Sequence, residues 1–215
     1  MIDIKAETEN EMGLFDLIRS DLGRFRQTFS LRNAPYSHNR VVWESIFFKS
    51  GFRAVLLYRL SHWFYIKGHT YIAWWLTRQN VRSTGVEIEF NAIIGPGLLI
   101  THPVGIVIGR GTVIGPNATL FQGVSFGVKS WHPNSIRKFP RVGSNCFFFA
   151  NAAVIGDIAI GDYCVIGTNT VVDQNMPNGA MAVGSPAVIL RDKGREHILV
   201  WQGIADSFTH KESKR

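Results

Sequence analysis

Cysteine is scarce: the 215 residues hold two, Cys146 and Cys164. Two cysteines make no disulfide scaffold. No stretch approaches the ~20 apolar residues that a membrane-spanning helix needs. The opening residues, MIDIKAETENEMG, are acidic and polar, unlike a secretory leader, so a cytoplasmic location is the expectation. No basic arm, zinc finger or RNA-binding signature is present, and no nucleic-acid partner is expected. The charge is still positive, +7 from 23 Lys+Arg against 16 Asp+Glu, with the basic residues dispersed. That surplus suits an anionic cofactor, an acidic glycan or an anionic membrane surface.

What the chain does hold is apolar mass and turns. Hydrophobic residues make up 46% and glycine 21 positions, enough for a sizeable core with many corners. Residues 1–10 are polar. Leu14, Leu17, Ile18, Leu22 and Phe25 recur near helical spacing and predict a helix over 11–29. Residues 30–40, with Pro35, read as a connection. Residues 41–80 carry eleven aromatic residues from Trp43 to Trp75 and read as two helices broken near Lys67-Gly68. Lys49, Arg53, Arg59 and Lys67 interrupt the apolar pattern. Two readings fit: a helical layer packed on itself and on a partner copy, or a helix lying on a membrane surface.

From residue 86 the texture changes. Aliphatic residues recur every six positions at Ile88, Ile94, Ile100, Ile106, Thr112, Ala118 and Val124. The series resumes at Val142, Phe148, Val154, Ile160, Ile166 and Val172, and ten of these 13 positions are Ile or Val. A six-residue period marks a parallel β-helix. Each hexad is a short strand plus a turn, and three hexads close one triangular coil. Each inward residue is expected to stack on its copy 18 residues later, with coils at about the 4.8 Å strand spacing. Asn145, Asn151 and Asn169 suit corners that need positive φ. Cys146 and Cys164, 18 residues apart, are expected to pack on adjacent coils as small core residues.

The pattern lapses between Val124 and Val142, so residues 128–141 read as a loop ejected from the coil, and such loops often carry function. It is basic, with Lys129, Arg137, Lys138 and Arg141. The expected organisation is an N-terminal helical region over 1–82, a β-helix over 83–190, and a C-terminal helix and tail over 191–215.

Several segments resemble the serine acetyltransferase branch of the hexapeptide-repeat acyltransferases. They are GFRAVLLYRLSHWFYIKG, VEIEFNAIIGPGLLITHPVGIVIG, IGDIAIGDYCVIGTNTVV and VGSPAVIL. The resemblance covers roughly residues 14–190. It implies a mainly β fold, a left-handed parallel β-helix preceded by helices. It also implies a homotrimer, with pairing of trimers into hexamers left open, and acetyl-CoA as co-substrate with no metal. His102 matches the family's catalytic base, which takes the proton of an acceptor hydroxyl as that oxygen attacks the thioester. Glu87 matches the carboxylate that orients it, where the family usually has Asp. Ala150, Asn151, Gly167 and Thr168 match corners facing the pantetheine. Gly184, Pro186 and Ala187 match the closure near the adenine, and Arg191 is a candidate for the phosphates. Backbone N–H groups around Gly123–Gly127 are candidates for oxyanion stabilisation.

The departures fall on the acceptor side. Where the family has an Arg-His-Pro segment, this chain reads Lys138-Phe139-Pro140. The acidic residue before the catalytic His is Thr101. The tail ends HKESKR, without the terminal Ile that docks relatives on cysteine synthase. Thr101, His132, Lys138 and Arg141 are therefore candidate acceptor contacts, with His132 able to substitute for the missing histidine. A site stripped of paired polar groups rejects a charged amino acid. The expectation is thus acetylation of a sugar hydroxyl in a capsular or other cell-surface polysaccharide or its precursor, with peripheral membrane contact. Serine O-acetylation and a β-helix scaffold without chemistry stand as alternatives.

Overall fold

A computed structural model describes residues 12–30, 49–129 and 138–201. Three helices come first: α1 Leu14–Ser30, α2 Ser50–Ile66 and α3 Thr70–Thr84. The expected break at Lys67-Gly68 separates α2 from α3. Gly85 ends α3 in the left-handed region (φ 74°), and its N–H donates to the Val81 carbonyl. The expected connection over 30–40 and the first residues of the 41–80 stretch lie largely outside the described residues.

The helices are locked onto the strand region by one buried ion pair. Arg59 Nε donates to Asp21 Oδ2 at 2.8 Å, and the same guanidinium donates to the Ile94 and Gly95 carbonyls. Asp21 Oδ1 in turn accepts the Leu98 N–H at 2.8 Å. Both side chains are almost completely buried. Burial pushes the Asp21 carboxyl up, against the pull of Arg59. Around the pair, Phe25 meets Phe52 edge-on at 5.4 Å, and the Tyr58 hydroxyl donates to the Ala92 carbonyl.

The rest is a left-handed parallel β-helix of three faces. The first face stacks β1 Glu87–Ile88, β4 Val107–Ile108, β7 Ser125–Gly127, β10 Ala153–Ile155 and β13 Val171–Val172. The second stacks β2 Ile93–Ile94, β5 Val113–Ile114, β8 Arg141–Val142 and β11 Ala159–Ile160. The third stacks β3 Leu99–Ile100, β6 Thr119–Leu120, β9 Phe147–Phe148, β12 Val165–Ile166 and β14 Met181–Val183, then closes with β15 Val188–Leu190 pairing antiparallel to β14. A short helix, α4 Lys193–Trp201, packs beside β12.

The uniform 18-residue stacking needs correction. Ile88 lies opposite Ile108, not Ile106, because the first coil takes 20 residues. The steps that follow are 18, 28, 18 and 16, seen in Ile108↔Phe126, Ile114↔Val142, Val142↔Ile160 and Ile160↔Met176. Each hexad buries two columns, one running Ile88, Ile94, Ile100, Ile108, the other Val86, Ala92, Leu98, Ile106. The unbroken six-residue count therefore crosses from one column to the other at residues 101–105. Two extra residues are accommodated there, and ten more enter between β7 and β8. Cys146 and Cys164 are free thiols buried on adjacent coils, and burial pushes the Cys146 thiol well up. The corner asparagines adopt positive φ as expected: 57° at Asn145, 59° at Asn151 and 56° at Asn169.

Candidate active site

A three-faced prism has three edges, and the candidate residues divide between two of them. The edge joining the third face to the first carries His102. It projects from the 101–105 turn, where the two extra residues push the chain outward, and its side chain is exposed. Below it the rungs run Thr101 to Leu120, Phe121 to Phe148, Phe149 to Ile166 and Gly167 to Ala182, each an N–H donating to the next carbonyl. Thr101, Phe121, Phe149 and Gly167 thus stack in one column. The His102 ring lies 6.3 Å from Phe121, which stacks on Phe149 at 5.1 Å, and His197 of α4 meets Phe149 edge-on at 5.6 Å.

The small-residue corners expected to face the cofactor lie on this same edge. Ala150-Asn151 and Gly167-Thr168 occupy consecutive rungs, joined by Asn151 Nδ2 donating to Asn169 Oδ1 at 3.0 Å. Gly184, Pro186 and Ala187 form the hairpin between β14 and β15. The Gly184 N–H donates to Thr170 Oγ1 at 3.1 Å, which ties the hairpin to the corner. Arg191 follows β15 and is exposed.

Two groups given roles at this edge are engaged elsewhere in the chain. Glu87 is half-buried at the start of β1, and its carboxylate accepts from Arg78 of α3 at 2.9 Å. Among the described residues its hydrogen bonds do not reach His102; α3 packs beside β1 and brings a guanidinium to the carboxylate first. Backbone donors at Gly123 and Ser125 are not open to an oxyanion, because their N–H groups already bond the Val104 and Ala152 carbonyls. The Thr101 hydroxyl likewise donates to the Leu120 carbonyl at 3.2 Å.

The edge joining the first face to the second carries the other acceptor candidates. Lys138 Nζ donates to Asp157 Oδ2 at 2.6 Å, and Arg141 lies 3.6 Å from the other oxygen. The Lys138 hydrogen bond, followed by the charges of Lys138 and Arg141, holds the Asp157 carboxyl below its ordinary value. Phe139 packs over the turn after β4: a Cβ on Gly109 would lie 2.6 Å from its ring. His132 lies outside the described residues. Within one chain, Lys138 and Arg141 therefore do not join His102, since β4 separates the two edges. Phe121, Phe149, Arg78 and Asp157 were missed by sequence reasoning. The two phenylalanines stack only after the ten-residue insertion is removed from the count.

A serine acetyltransferase of Helicobacter pylori is 37% identical over 164 residues, which cover 76% of this chain and 94% of that protein. The chain belongs to the serine acetyltransferase branch of the hexapeptide-repeat transferases. The bacterial transferase hexapeptide (six repeats) model matches residues 139–174 of this family member. Two solved serine acetyltransferases share its fold. One, in complex with CoA, superposes with a TM-score of 0.71 at 28% identity, covering 82% of this chain and 69% of that one. The other, from Neisseria gonorrhoeae in complex with serine, gives 0.70 at 27% identity, covering 81% and 68%. As a member of this branch the chain is an acyltransferase.

Proposed function

We propose that this chain transfers an acetyl group from acetyl-CoA to a hydroxyl, with His102 as the general base. The observation that carries the reading is the shared edge. An exposed His102 stands on the same edge as the small or polar corner residues Ala150, Asn151, Gly167 and Thr168. His102 accepts the acceptor's hydroxyl proton as the oxygen attacks the thioester carbonyl. Collapse of the tetrahedral adduct breaks the C–S bond, and the leaving thiolate takes that proton from the imidazolium. Glu87, whose Oε1 accepts from Arg78, is the carboxylate assigned to orient this histidine.

Serine is the acceptor that the relatives support, through their names and through the solved complex with serine. A second reading rests on Phe139, which stands where the resemblance implies a histidine, and on Lys138, which Asp157 already engages. It makes the acceptor a sugar hydroxyl of a capsular or other cell-surface polysaccharide or its precursor, worked on in the cytoplasm at the inner face of the membrane. The two separated edges favour a homotrimer, because a neighbouring copy can bring Lys138 and Arg141 to His102 where one chain cannot. In this assignment 1–82 is an N-terminal helical region, 83–190 the acyltransferase domain, and 191–215 a C-terminal helix and tail.

CoA release from acetyl-CoA by wild type and His102→Ala, offered serine and then capsular oligosaccharides, tests these readings. His102-dependent release with serine alone establishes serine as the acceptor and removes the glycan reading. His102-dependent release with a glycan alone does the reverse. Release unchanged by His102→Ala removes the assigned base, and no binding of acetyl-CoA returns the chain to a scaffold.

A further inference from the structure

Helix α3 buries one stripe and exposes the opposite one. Ala73, Leu76, Thr77, Asn80 and Thr84 face inward. On the outer face, at spacings of 3 and 4, stand Tyr71, Trp74, Trp75, Arg78 and Arg82. Tyr71 is 92% exposed, Trp74 56% and Trp75 55%, and Ile66 and Ile72 extend the patch at the α2–α3 turn. Large aromatic side chains grouped in this way mark an interaction surface.

The charges around the stripe are of one sign. Residues 45–86 contain no Asp or Glu and six Lys or Arg. Lys67 stands exposed at the turn beside Ile66, and Arg82 continues the stripe one turn beyond Arg78. Arg78 lies over the Trp74 ring at 5.9 Å and also holds Glu87, so the carboxylate next along the chain is paired. A second copy docked through the same stripe would set Lys67, Arg78 and Arg82 against their own equivalents, with no acidic residue on α2 or α3 to meet them. An anionic lipid surface meets both halves of the pattern. Tryptophan and tyrosine rings sit at the headgroup level, and Lys and Arg beside them face phosphates.

We propose that the outer face of α3, through Tyr71, Trp74 and Trp75 with Lys67 and Arg82, docks the enzyme on an anionic phospholipid membrane. This deepens the inner-face location given above by naming the surface, and it holds whichever acceptor is used.

Flotation with vesicles of phosphatidylcholine alone, or mixed with phosphatidylglycerol, tests it. The full chain is compared with a Trp74→Ser/Trp75→Ser double variant and with Arg82→Glu. Wild type is expected to float with the mixed vesicles only, to be released by added salt, and to shift its tryptophan emission to the blue. Each variant is expected to bind at least about tenfold more weakly while keeping acetyl transfer to a soluble acceptor. Wild type that stays off mixed vesicles at low salt overturns the proposal, as do variants that bind like wild type. Loss of flotation together with a smaller sedimenting species in the double variant assigns the face to a second copy. Acetyl transfer is measured separately in solution, so its failure leaves the docking result readable.

Discussion

His102, Asp21 and Asp157 each sit in a different environment and respond differently to change. Replacing His102 with Ala removes the proposed base and leaves the exposed turn intact, so kcat is expected to fall by roughly 10²–10⁴. Binding of acetyl-CoA, followed by calorimetry, is expected to persist, and joint loss of both would contradict the assigned role. Asp21→Ala strands the buried Arg59 guanidinium and the Leu98 N–H together. Urea unfolding is expected to show a loss of about 3–5 kcal/mol, the cost of an uncompensated buried charge. Asp157 is exposed, and Lys138 holds its carboxyl below 3.8. A depressed carboxyl stabilises above its unfolded pKa and loses that contribution as pH falls through the folded one. An NMR titration is expected to place the Asp157 midpoint below 3.8, and Lys138→Ala to move it up toward that value.

The turns of the coil respond to volume. Along the edge joining the second face to the third, Gly95, Gly115, Gly143 and Gly161 stack with little space between rungs. A Cβ on Gly115 would lie 2.8 Å from the Gly143 carbonyl atoms, and one on Gly143 2.8 Å from the Asp162 nitrogen. These are backbone neighbours, which cannot rotate away. Gly115→Ala is expected to lower stability by about 1–3 kcal/mol through overpacking, read as a drop in the thermal midpoint. The Asn151 corner is equally tight, since Gly123 on the rung beside it adopts a φ of 70° and a Cβ there would run into the Asn151 side chain.

For the whole molecule, the decisive quantity is the number of copies that complete a site. The His102 edge and the Lys138–Arg141 edge are held apart by the first face. If neighbouring chains join them, sedimentation is expected to give three chain masses. Mixed assemblies of a His102→Ala chain and an Arg141→Ala chain are then expected to recover part of the activity that each variant loses alone. A fully active monomer would contradict this arrangement.

The repeat was legible because burial in a β-helix is a local rule: every sixth residue must be apolar, whatever lies around it. The break near Lys67-Gly68 and the interruption between β7 and β8 were legible for the same reason, as places where periodicity stops. The phase slip at 101–105 was not, since Ile100 and Ile106 keep the six-residue count while belonging to different inward columns. Glu87 likewise kept the sequence position of an orienting carboxylate. Its ion pair with Arg78 depended on how α3 lies beside β1, which no spacing encodes. The sequence alone determined the coil, its corners and the residue types at its edges. Only the tertiary structure decided which edge each residue occupies, because edge assignment adds up every insertion before it and every helix packed against it.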